Sequence, residues 1–169
     1  AYKIGCAIIS GLEVNSIVIG YDARESSPEL AIELQRGAQQ MGAQVAKIGL
    51  SGTEEMYWGV TEFGACAGIE VTASHNPINY NGMKLVKAGS VPISGDTGLN
   101  AIKEKAEALE DSFVSERLAH YTEGALIDAD AFFNGTAHVK EDKLSETDKY
   151  AVKSCMSDYV SHMLSYVNL

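Results

Sequence analysis

Apolar residues recur along this chain at two spacings. Ser16-Ile17-Val18-Ile19-Gly20 is a compact β-branched run, and Gln44–Ile48 and Ala67–Val71 are similar. Such runs, bounded by polar or glycine-rich stretches, predict buried strands. Between them, Leu30, Leu34, Ala38 and Met41 fall on one helical stripe, stopped by Gly42. Ser27-Pro28 reads as its N-cap followed by proline at the first helical position. Met56, Val60 and Phe63 predict a second helix closed by Gly64. Asn81-Gly82 predicts a turn, Met83–Val86 a short strand, and Leu99, Ile102, Ala106 and Leu109 a third helix. Over 110–150 the periodicity weakens, as in a connector with partial helix. Val152, Met156, Val160, Met163 and Val167 then return to helical spacing, as at the start of a second unit.

A β–α–β–α–β order predicts an α/β fold, a mixed but largely parallel sheet flanked by helices. Ligands of such sheets collect at the carboxyl ends of the strands. Two polar loops, 21–25 and 72–77, leave strands at that edge.

Composition narrows the function classes. The chain has 169 residues, 46% hydrophobic and 21% charged, enough for a packed core. Net charge is −10, which disfavours a nucleic-acid partner. No apolar run approaches the roughly 20 residues of a membrane helix, so no membrane partner is expected. No secretory signal opens the chain, and a start at Ala1 points to a trimmed or partial sequence. Three scattered cysteines, Cys6, Cys66 and Cys155, suggest reduced thiols in a cytoplasm, with Cys66 a buried small hydrophobe. The four histidines show no zinc spacing. With only Arg24, Arg36 and Arg117 as arginines, any phosphorylated ligand requires cations gathered locally.

The segment richest in chemistry is Gly68-Ile-Glu-Val-Thr-Ala-Ser-His-Asn-Pro77. Ser74 follows a strand on a tight loop that Pro77 stiffens by restricting Asn76. Such a serine can be an acyl nucleophile, a phosphoryl carrier or part of a polar turn. The G-x-S-x-G elbow of acyl transfer is absent. Nucleotide loops of the G-x-G-x-x-G or G-x-x-x-x-G-K-[ST] type follow no strand.

Thr72-Ala-Ser-His-Asn-Pro77, followed by Asn81-Gly-Met-Lys84, resembles the phosphoserine loop of the α-D-phosphohexomutase superfamily. Gly20-Tyr-Asp-Ala-Arg24 with Ser27-Pro-Glu-Leu30 resembles that family's first-domain segment. Gly49-Leu-Ser-Gly-Thr-Glu-Glu55 and Pro92-Ile-Ser-Gly-Asp-Thr-Gly98 are similar to its bacterial phosphomannomutase branch. The resemblance covers most of residues 1–105. It implies a phosphoryl shuttle in which Ser74 carries phosphate, passes it to a hexose monophosphate, and recovers a phosphate from the bisphosphorylated sugar. It implies His75 and Lys84 in proton transfer and phosphate contact, Arg24 as a basic residue near the loop, and Ser51, Thr53 and Asn76 at the substrate. It implies Mg²⁺ held through Ser74, with its other ligands in a second domain, and a hexose 1,6-bisphosphate activator. Each residue also has a plainer reading. Arg24 could be a surface residue paired with Asp22 or Glu25, Lys84 a solvated strand position, and His75 a brace. Glu54 and Glu55 read as a charge pair at a helix N-terminus.

The family's N-terminal Asp-Ile-Arg-Gly segment and its later metal, sugar and phosphate loops are absent from the chain. The implied organisation is therefore domain I over 1–148, without its first strand, and the start of domain II over 149–169. The expected function is interconversion of mannose 6-phosphate and mannose 1-phosphate in the cytoplasm, serving GDP-mannose synthesis. The remaining domains of the enzyme would act as partners. The alternatives are glucose or glucosamine phosphate as substrate, or a non-catalytic phosphosugar-binding fragment.

Overall fold

A computed structural model describes residues 1–119 and 156–167. The elements run α1 (Tyr2–Leu12), β1 (Ser16–Tyr21), α2 (Ser27–Gln40), β2 (Gln44–Leu50), α3 (Thr53–Glu62), β3 (Ala67–Val71), β4 (Met83–Lys87), β5 (Val91–Pro92), α4 (Leu99–Ala108), α5 (Asp111–Ala119) and α6 (Met156–Leu164). They form a five-stranded sheet in the order β2-β1-β3-β4-β5. The first three strands in that order are parallel, and β4 and β5 add antiparallel.

Alternating side chains send the strands into two cores. Ile17, Ile19, Ile69 and Val71 join Ile8 of α1, Leu34 of α2 and Ile102 of α4. Val18, Ala46, Ile48 and Val86 join Met56 and Val60 of α3 on the other side. Helices α1 and α2 lie close because two glycines face each other's backbone. A Cβ on Gly5 would strike the Leu34 carbonyl, and one on Gly37 the Tyr2 carbonyl. The Cys6 thiol uses the same closeness to donate to the Gly37 carbonyl at 3.3 Å.

The predicted strands and helices are present, with shifted details. Ser26, not Ser27, occupies the N-cap position of α2, with no side-chain capping bond. Ser27 is helical and fully buried, and its hydroxyl goes to Asp22 instead of the helix end. Gly42 and Gly64 do end their helices at positive φ, +81° and +62°. Met41 lies at the surface, at the end of its stripe. The thiol buried in the core is Cys6; Cys66 is half-exposed, against expectation. The two-residue strand β5 gave no periodic signal.

The final apolar stripe forms α6, but Met156, Val160 and Met163 are exposed on it. Its contact with α3 is aromatic: Trp58 meets Tyr159 at 5.9 Å and His162 at 6.2 Å between ring centroids. The boundary expected at 148/149, most of the 110–150 connector, Val152 and Cys155 lie outside the described residues.

Candidate active site

Parallel pairing brings three loop entrances to one edge. Strand β1 delivers Asp22, β2 delivers Ser51 and β3 delivers Thr72. Antiparallel β4 starts at that edge, just after Asn81-Gly82. Backbone bonds extend the sheet into the loops: Asp22 N–H to the Val71 carbonyl at 3.0 Å, Ser51 N–H to Tyr21 at 3.0 Å, and Thr72 N–H to Gly82 at 2.9 Å.

Arg24 is the loop's organising residue. It is 7% exposed, so the surface reading is corrected. Its Nε donates to Asp22 Oδ2 at 2.9 Å. Its Nη1 donates to the carbonyls of Pro77 at 2.6 Å and Tyr80 at 3.0 Å. Its Nη2 donates to the carbonyls of Ser74 at 2.8 Å and Asn76 at 2.9 Å. These bonds use all five N–H groups of a guanidinium. They gather four carbonyls of a loop that has no sheet partner of its own.

Asp22 anchors this brace. Partial burial works against its ionisation. Hydrogen bonds from Ser27, from Thr72, and from the backbone and side chain of Arg24 outweigh that and hold its carboxyl below the ordinary range. Asn81 ties the far end of the loop to α2, donating through Nδ2 to Ser26 and Ser27 hydroxyls at 2.9 Å each.

Ser74 stands at the apex, with an exposed side chain and φ of +55°. A left-handed conformation at a residue with a Cβ costs about 1–2 kcal/mol. The surrounding bonds impose it: Ser74 N–H reaches Thr72 Oγ1 at 2.9 Å while its carbonyl is held by Arg24. Asn76 folds back on the loop, with N–H and Nδ2 both donating to the Ala73 carbonyl. His75 and Lys84 are exposed, and their side chains make no hydrogen bond or ion pair among the described residues. The edge thus carries an exposed hydroxyl and the two exposed side chains of His75 and Lys84. Thr53 opens α3 and is half-buried, whereas the Ser51 hydroxyl turns inward.

One acid, Glu70, was missed by sequence reasoning, and the burial of a second, Glu55, was not foreseen. Glu70, in mid-strand, is 1% exposed and lies beside Ser51. Burial, partly offset by the Ser51 hydrogen bond and reinforced by Asp22, Glu55 and Glu54, pushes its carboxyl up to about 8. Glu54 and Glu55 do stand in the first turn of α3, as expected, but Glu55 is buried there, which raises its carboxyl, and its Oε2 has no hydrogen-bond partner among the described residues. The signal was a lone acid inside an otherwise apolar strand, since an unpaired buried carboxylate is avoided elsewhere.

Among the described residues no group of three or more His, Cys, Asp or Glu could hold a metal ion. Hard cations such as Mg²⁺ require several oxygens. Ser74 alone does not make such a site, so the described residues do not fit the ion by themselves.

A family model described as "Phosphoglucomutase/phosphomannomutase, alpha/beta/alpha domain I" matches residues 1–112. The chain belongs to the phosphoglucomutase/phosphomannomutase family. This is a family of phosphohexomutases, in the isomerase class. A phosphomannomutase of Klebsiella pneumoniae is 53% identical over 107 residues, covering 63% of this chain and 68% of that protein. One of Escherichia coli is also 53% identical over 107 residues, but the match covers 24% of it. The solved structure of a phosphoglucomutase/phosphomannomutase family protein from Burkholderia thailandensis superposes with a TM-score of 0.56 at 28% identity, over 63% of this chain and 25% of that one. A putative phosphomannomutase from Thermus thermophilus gives 0.58 at 28% identity, over 62% and 25%. The chain therefore spans about a quarter of the length of most of these phosphohexomutase relatives. Residues 1–112 are the part that matches the family's α/β domain I.

Proposed function

We propose that this chain is the phosphoserine domain of a phosphomannomutase, with Ser74 as the phosphoryl carrier. The observation that carries the reading is the exposed Ser74 hydroxyl, held in a left-handed turn by the Arg24 brace. Phosphoryl transfer depends on position and charge more than on covalent activation. A loop whose backbone is tied at four carbonyls keeps its nucleophile in place at little further entropic cost.

In the forward half-reaction a sugar hydroxyl attacks phosphorus on phospho-Ser74. The Oγ–P bond breaks, a sugar O–P bond forms, the hydroxyl proton leaves, and a proton arrives on Ser74 Oγ. His75, exposed beside Ser74 on the same loop, is the proposed carrier of that proton. Lys84 is the proposed phosphate contact, neutralising the roughly −1.5 to −2 charge of a phosphoserine. The second half returns the sugar's other phosphate to Ser74. Arg24 acts by shaping the loop, since its donors are all engaged. Asn76 and the 51–53 loop border the sugar. Mg²⁺ would be held by Ser74 together with ligands from other parts of the complete enzyme, and when bound would supply further charge neutralisation. Mannose is favoured by the Ser51-Gly-Thr53 and Pro92–Gly98 matches and by the phosphomannomutase relatives.

The test is Ser74→Ala in the complete enzyme, assayed with mannose, glucose and glucosamine phosphates. Turnover should fall at least about 1,000-fold, the scale of losing a covalent carrier. Peptide mass mapping should find phosphate on Ser74 of the unmutated protein. Near-normal turnover of the variant would sink the assignment.

A further inference from the structure

Glu70 is buried in the middle of β3, four residues before Ser74. Its two carboxyl oxygens lie 3.3 and 3.1 Å from Ser51 Oγ. The same hydroxyl lies 3.2 Å from the Gly49 carbonyl. A serine has one proton to give. With Glu70 ionised, Ser51 must choose between the carboxylate and the Gly49 carbonyl. With Glu70 protonated, the bonds run in line: Glu70 O–H donates to Ser51 Oγ, and Ser51 O–H donates to Gly49. Gly20 makes room for the pair, because a Cβ there would collide with both Ser51 Oγ and Glu70 Oε2.

The charges around Glu70 point the same way. Asp22 at the end of β1 and Glu54 and Glu55 on α3 are all acids. Lys84 sits opposite Glu70 in the β3–β4 register, but its side chain is exposed. From β1 and β2, Gly20 and Ile48 bring no charge. A second negative group near a phosphoserine would also oppose the charge on Ser74.

We propose that Glu70 is a positioning residue, a neutral acid that donates to Ser51 and so holds the 49–53 loop against the edge from which Ser74 projects. The inference rests on reading that edge as the phosphoryl-transfer site. Deprotonation reverses the Ser51 bond, frees the Gly49 carbonyl and adds buried negative charge beneath the loop. Activity then declines on the alkaline side.

The experiment compares Glu70→Gln, Glu70→Ala, Ser74→Ala and the unmutated complete enzyme. It measures kcat/KM with a hexose monophosphate from about pH 6 to 9.5, beside ¹³C NMR of the glutamate carboxyls. The unmutated enzyme should lose activity with a midpoint near 8. Glu70→Ala should lose about tenfold or more, the scale of one orphaned polar group. Glu70→Gln, whose amide donates at every pH, should restore most of that loss and abolish the alkaline limb. The same limb in Glu70→Gln as in the unmutated enzyme, or a Glu70 carbon titrating near the ordinary carboxylate value of 4.5, overturns the proposal. An inactive Ser74→Ala alongside that result rejects the role of Glu70 alone. An active Ser74→Ala rejects the phosphoryl-transfer reading and this role with it.

Discussion

Arg24 and Glu70 show how single residues set the terms of this edge. Arg24 matters through the direction of its five donors, so its charge alone is no substitute. Arg24→Lys keeps the charge but loses the planar fork. We expect a loss of roughly 2–3 kcal/mol in urea unfolding, with several charge-assisted bonds weakened. Glu70 carries the opposite lesson. Burial pushes its carboxyl up to about 8, far above the ordinary value of 4.5. More protons are bound folded than unfolded between those values, so stability from this group is full below about 4.5 and lost as pH rises through about 8. The loss across that window is on the order of 5 kcal/mol at most. Glu70→Gln should raise Tm at pH 8 and flatten its fall between pH 6 and 8. Asp22 acts with the reverse sign: its lowered carboxyl gives stability above the ordinary aspartate range that disappears as pH falls through the folded value. Acid melts of Asp22→Asn should show a shallower decline than the unmutated chain.

At the scale of elements, contact depends on what is small. Helices α1 and α2 touch through Gly5 and Gly37, whose added Cβ atoms would meet backbone carbonyls that cannot turn away. Gly37→Ala should therefore cost about 2–3 kcal/mol or more, read as a lowered denaturation midpoint at constant slope. Its helix propensity gain of about 1 kcal/mol would not offset the clash. Strand β3 ties the two cores to the site. Ile69 and Val71 face one core, Glu70 occupies the other side beneath the edge, and Thr72 begins the serine loop. The positions of strands β1 to β3 and helices α2 to α4 were legible in the sequence because burial repeats at period 2 or 3.6. Strand β5 was not, since two residues carry no period.

For the whole molecule, parallel pairing is what turns scattered motifs into one edge. Residues 22, 51 and 74 are separated by 29 and 23 positions in sequence, and only the β2-β1-β3 order brings their loops together. The chain also spans about a quarter of its Escherichia coli relative. We expect the 169-residue chain alone to give less than about 1% of the turnover of the complete enzyme, because the charge neutralisation of phosphoryl transfer must converge from several sides. Conversion of mannose 1-phosphate followed by ³¹P NMR, at equal molar protein, checks this. Turnover equal to that of the complete enzyme would show that this domain holds the whole site.

The sequence by itself determined the α/β class, most strands and helices, and the serine loop with its phosphohexomutase resemblance. These are local properties: side-chain period, turn-forming residues and short contiguous motifs. Only the tertiary structure decided that Arg24 is a buried brace, that Ser27 serves Asp22, that Cys6 is the buried thiol, and that Glu70 and Ser51 share a bond across β2 and β3. Each of those depends on a partner at least five residues away. Burial and hydrogen-bond direction are set by what packs against a residue, and that is decided by pairing and register.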